Sequence, residues 1–92
     1  MSYKLLFDEK VLDTFLESQD FYGRISEQLA TRFHDDFWQC VEYLKQNPNH
    51  FQTRYKSIRI AHLSSFPFGI HFFIDQDVIK VLRLLHHKQY YE

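Results

Sequence analysis

The chain has 92 residues, 45% hydrophobic and 18% aromatic, with only two glycines and two prolines; this excludes a disordered segment and leaves room for one core in one domain, residues 1–92. A single cysteine, Cys40, excludes an internal disulfide, no apolar run approaches the roughly 20 residues that cross a bilayer, and Met1-Ser2-Tyr3 lacks the regions of an export signal, so the cytoplasm is the expected location. The net charge of −1 hides a split: residues 1–53 hold five Lys/Arg against nine Asp/Glu, and residues 54–92 hold six against three together with four of the six histidines, a balance that excludes strong nonspecific nucleic-acid binding and suits an acidic partner.

Tyr3-Lys4-Leu5-Leu6-Phe7 reads as a short strand, and Asp8-Glu9 can open a helix with acidic residues at its positive end. Val11, Leu12, Phe15 and Leu16 recur at helical spacing, which predicts a first amphipathic helix to about Ser18 or beyond, interrupted at Phe21-Tyr22-Gly23. Ser26 is placed to cap a second helix whose stripe is Leu29, Phe33, Phe37, Val41 and Leu44, and Asn47-Pro48 should end it. Pro48-Asn49-His50 is loop. The period then changes. Arg54 to Leu63 reads as a strand of mixed polarity, and Phe68, Ile70, Phe72 and Ile74 alternate, turning one apolar face inward. Asp75-Gln76-Asp77 makes a hairpin turn into a returning strand from Val78 to Leu85. The expected fold is therefore α+β, two N-terminal helices on one face of a small antiparallel sheet, in the order β-α-α-β-β-β.

Groups able to do chemistry gather in the sheet half: Arg54, Lys56, Arg59, Lys80, Arg83, Lys88, His62, His71, His86 and His87. Strand alternation places Arg59 with Ala61 and away from His62, Arg83 with His87, and His86 with Leu84, Leu82 and Lys80. His86 and His87 thus point to opposite faces, so they do not share a metal, and no Cys/His spacing completes a tetrahedral site. No metal or cofactor is expected. His34 and the carboxylates Asp35, Asp36 and Glu42 read as a solvated helix face, and Cys40 as a buried small residue and not a nucleophile.

The stretches NPNHFQTRYKSIRIAHLSSFPFGIHFFID and IKVLRLLHHK, with the Asn47-Pro48 helix end, Arg59, Phe66-Pro67-Phe68 and a closing histidine, resemble the RelE/ParE superfamily of bacterial type II toxin-antitoxin toxins across nearly the whole chain. The resemblance implies a small cytoplasmic toxin, of the kind that serves plasmid stabilization, neutralised by an antitoxin wrapped around it. RelE-like members cleave messenger RNA on the ribosome; ParE-like members poison DNA gyrase and lack the nuclease residues. Phe66-Pro67-Phe68 is closer to ParE, and Gly69 stands about where nuclease members carry a basic residue, although the chain continues His87-Lys88-Gln89 without the arginine many ParE-like members place after the histidine.

What the resemblance implies is a toxin that binds a cognate antitoxin and, when released, inhibits a target such as gyrase. Its alternatives are a ribosome-dependent endoribonuclease using His86 or His87 with Arg59 and Arg83, and a degenerate toxin that only binds. Cleavage of that kind requires a base for the 2′-hydroxyl, cations beside the phosphate and an acid for the leaving oxygen. On either reading Arg54, Lys56, Arg59, Lys80, Arg83 and Lys88 are the expected contact residues for antitoxin, gyrase or ribosome and mRNA; homo-oligomers stay open.

Overall fold

The computed structural model describes residues 3–90. Strand β1 (Lys4–Phe7) leads into helices α1 (Glu9–Ile25) and α2 (Glu27–Gln46); after a 3-10 turn at Pro48–His50 come β2 (Thr53–Tyr55), β3 (Ile58–His62), β4 (Phe68–Asp75), β5 (Val78–His86) and a short α3 (His87–Tyr90). The architecture is the expected α+β arrangement of two helices on a sheet.

The helices begin where side chains can satisfy their first amides. Asp8 accepts from the Lys10 amide at 2.9 Å, and the Ser26 hydroxyl accepts from that of Leu29 at 3.1 Å. Ser26 also closes α1, its own amide donating to the Tyr22 carbonyl at 3.0 Å, so one extended residue joins the two helices. The expected break at Phe21-Tyr22-Gly23 is absent. Tyr22 is held by the rings of Phe33 and Phe66, with centroids 5.3 and 4.8 Å away, and that packing carries the helix through Gly23. At the far end Asn47 donates to Tyr43 and Pro48 follows, which ends α2 as expected.

Val11 and Phe15 of α1 and Phe33, Phe37, Val41 and Leu44 of α2 meet Ala61, Phe68, Ile70, Phe72, Ile79, Val81 and Leu84 of the sheet. Leu12 and Leu16, expected in the core, are 42% and 62% exposed, because α1 touches the body through a narrow stripe whose inward positions are filled by Val11 and Phe15. Phe21 and Ile25, each 61% exposed, extend the apolar surface of the same helix.

The sheet order is β1-β5-β4-β3-β2. It is mixed where an antiparallel one was expected: β1 runs parallel to β5, Lys4 opposite Val78 and Phe7 opposite Val81. The expected strand at Arg54–Leu63 is two, since the chain folds back at Lys56 and Ser57, both at positive φ (43° and 68°), and Tyr55 pairs with Ile58. One further irregularity redirects side chains. His71 lies opposite Arg83 but Phe72 opposite Val81, so Leu82 is a bulge. Alternation restarts there: Ile79 and Val81 point to the helices before it, Leu84 and His86 after it, and Lys80 and Arg83 share the other face. Lys80 is thereby parted from His86, contrary to strict alternation. The strand stops at His86, and the His87 amide donates to the Pro67 carbonyl at 2.9 Å as α3 begins. Among the described residues no helix is long and apolar enough to cross a membrane.

Candidate functional site

Both helices lie on one side of the sheet, and the opposite side gathers the chemistry. Registers place Ile60 and His62 of β3 beside His71 and Gly69 of β4, and Arg83 of β5 beside His71. The Tyr55 hydroxyl and Nδ1 of His71 share a hydrogen bond of 3.0 Å. Nδ1 of His62 and Nε2 of His87 lie 3.0 Å apart, their rings nearly perpendicular at a centroid distance of 4.9 Å. Gly69 permits this crowding. A Cβ there would sit 2.8 Å from Cγ2 of Ile60 and 3.5 Å from Nδ1 of His62, so neither a methyl group nor a basic side chain fits without displacing the Ile60 side chain.

The field is positive. His71 is only 2% exposed, and its pKa is pushed down to about 4, first by burial and then by His62 and Arg83. The pKa of His62 is lowered by burial, by His87 and by Arg54. Arg54, His62, His71, Arg83 and His87 therefore form one electrostatic cluster. Lys80 stands apart on the same face, 3.5 Å from Asp75 and over the ring of Phe73.

The residues expected to act together are divided. Arg83 and His87 share the outer face, whereas Arg59 lies on the helix side and donates to the Phe51 carbonyl. His86 also faces the helices, against the ring of Phe68 at 5.2 Å, in a cleft lined by Glu17, Ser18, Phe21 and Tyr22. Its Nδ1 accepts from the Lys88 amide at 3.1 Å. Of the expected contact residues, Lys80 and Arg83 lie on the outer face, Arg54 of β2 is near enough to His62 to lower its pKa, Lys56 is at the tip of the β2–β3 turn and Lys88 is exposed on α3. Tyr55 was not singled out in the sequence; an aromatic beside Arg54 in a polar strand was its only signal.

Two helix residues differ in their surroundings. Asp36, expected on the solvated face, is 7% exposed and accepts from the amides of Ser64 and Ser65 at 3.0 and 2.8 Å, fixing the loop before Phe66-Pro67-Phe68. Cys40 is half-buried with its Sγ 3.7 Å from the carbonyls of Ala61 and His62, and burial, then Asp36, push its pKa up to about 12, far from a nucleophilic thiol. Among the described residues no group of three or more His, Cys, Asp or Glu could hold a metal ion. The outer face offers cations, ring nitrogens and one phenol, a set able to hold an anion or to move a proton beside one.

A family model described as the ParE toxin of the type II toxin-antitoxin system, parDE, matches residues 5–91. A search of curated proteins found no match. Among solved structures, one titled "Chromosomal ParDE TA system from P. aeruginosa" superposes with a TM-score of 0.80 over 92% of this chain and 96% of that one, at 22% identity, which shows a shared fold. With the family model spanning nearly the full length, this chain belongs to the ParE toxin family of type II toxin-antitoxin systems.

Proposed function

We propose that the protein is a toxin that acts by binding: a cognate antitoxin holds it inactive, and the released chain inhibits DNA gyrase. The family match over residues 5–91 carries this reading. Two features support binding over cleavage. Arg59 is turned to the helix side, away from Arg83 and His87, and Gly69 has no space for the basic side chain that nuclease relatives carry near there. The exposed Leu12, Leu16, Phe21 and Ile25 of α1 are an apolar surface of the kind that marks protein contacts. Binding a protein target requires complementary surface and no catalytic group.

The test is a supercoiling assay with purified gyrase, run beside a ribosome-bound mRNA cleavage assay. Loss of supercoiling with intact mRNA is expected; cleaved mRNA with unaffected gyrase overturns the reading. A ribonuclease reading draws on one observation, the placement of Tyr55, His62, His71, Arg83 and His87 on one face, where a base, an acid and a cation stand together. In that case His62→Gln with His87→Gln abolishes cleavage.

A further inference from the structure

The contact between His62 and His87 has a chemical requirement. Two ring nitrogens 3.0 Å apart need one N–H and one lone pair between them, so at least one ring is neutral while the contact lasts. Protonating both sets N–H against N–H and breaks it. His62 is also faced by Arg54 from β2, by His71 from β4 and by His87 from α3, while the Cys40 thiol of α2 reaches only its carbonyl. Every charged influence on His62 is cationic, and among the described residues no carboxylate lies within 4 Å of Arg54, His62, Arg83 or His87. Among the described residues Arg54, His62, Arg83 and His87 are thus cations and imidazoles without a carboxylate beside them.

We propose that the outer sheet face is a proton-coupled docking site for a carboxylate-rich segment of the neutralising partner: carboxylates meet Arg54 and Arg83, the His62–His87 contact opens, and His62 takes up a proton to hold one of them. This rests on the binding reading above. An acidic peptide suits the face better than a nucleic acid because the field is local. The chain as a whole carries −1, and its N-terminal half, which forms both long helices, holds nine acidic residues against five basic ones, so a long polyanion meets repulsion wherever it leaves this face. A segment that covers the sheet face alone does not. The segment's charge stabilises the imidazolium, and by linkage a lower pH then strengthens binding.

The probe is a peptide of roughly twelve residues alternating Glu and Ala, with Gln-Ala and oligouridine of the same length as comparisons. Calorimetry near neutral pH in phosphate and in Tris should give binding enthalpies that differ by about one proton's worth of buffer ionisation, and the affinity should rise about tenfold on moving from pH 8 to pH 6. Backbone and imidazole shifts in the labelled intact protein should change at residues 54, 62, 83 and 87. His62→Gln should abolish both the buffer dependence and the pH dependence, Arg83→Gln should weaken binding about fivefold while keeping the proton uptake, and His34→Gln should change neither. Buffer-independent enthalpy in the wild type, shifts confined to other surfaces, or oligouridine binding this face more tightly than the peptide would each overturn the proposal. The wild-type measurements stand even if a variant fails to fold. Gyrase inhibition is scored separately: inhibition without proton uptake sinks the docking site and leaves the toxin reading intact, and proton uptake without inhibition does the reverse.

Discussion

His71 links stability to pH through one side chain. Folded, it holds a proton only below about pH 4; in the unfolded chain its imidazole returns to its ordinary value near 6.5. Between those values the unfolded state binds a proton that the folded state lacks, so the stabilisation is complete above 6.5 and drains away as pH falls toward 4, by at most about 3 kcal/mol. Urea unfolding of the wild type should lose stability across this window, and His71→Gln should show a flatter profile; equal slopes would refute the assignment. Asp36 offers a second test. Removing a buried carboxylate that accepts from two amides leaves the Ser64-Ser65 loop unanchored, and Asp36→Ala is expected to cost about 3 kcal/mol in the same assay. Neither role was legible beforehand. Asp35 and Asp36 are neighbours of one type on one helix, and only the loop that packs against α2 makes one buried and leaves the other at the surface. Cys40 was legible in part: its place beside the apolar stripe predicts burial, and the side chain is half-buried.

Elements differ in how openly they announce themselves. Helix α2 carries a cap at Ser26, a stripe from Phe33 to Leu44 and a stop at Asn47-Pro48, three independent signals that agree, and its bounds follow. The β2–β3 turn carries none. Lys56 and Ser57 adopt positive φ without glycine or asparagine, so nothing in the residues separates β2 from β3. The same strain gives a prediction: Lys56→Asn with Ser57→Gly should raise stability by about 1–2 kcal/mol, seen as a higher melting temperature, because those residues adopt this region at little cost. Gly69 works in the opposite sense. Gly69→Ala places a methyl group 2.8 Å from Ile60 and should cost about 1–3 kcal/mol while disturbing the His62 ring resonances. The bulge at Leu82 was equally hidden, and it moved Lys80 to the outer face; the period of a strand predicts facing only until one residue is left unpaired.

Across the molecule, the charge imbalance seen in the sequence becomes a separation in space. The half that forms the two long helices holds the acidic excess, while Lys80 and Arg83 lie on the face that those helices do not cover, with Arg54 close enough to His62 to act on it. The imbalance was readable from composition; its direction was not, because facing depends on the turn at Lys56-Ser57 and on the bulge. Such a dipole steers an oppositely charged partner, so the association rate with the antitoxin should fall about tenfold between low salt and about 0.5 M salt, with a smaller change in dissociation rate, as stopped-flow mixing would measure. A salt-independent rate would mean that apolar contact alone governs encounter.

The parallel pairing of β1 with β5 bears on how the protein comes into being. Strand β1 waits, as translation proceeds, for a neighbour made only after both helices and three further strands, Lys4 lying opposite Val78. Until that neighbour emerges, the nascent chain has an unfilled border beside its helices, and the outer face still lacks Arg83 and His87. Whatever that face contacts can therefore be engaged only after β5 and α3 have emerged, however early the helices have formed.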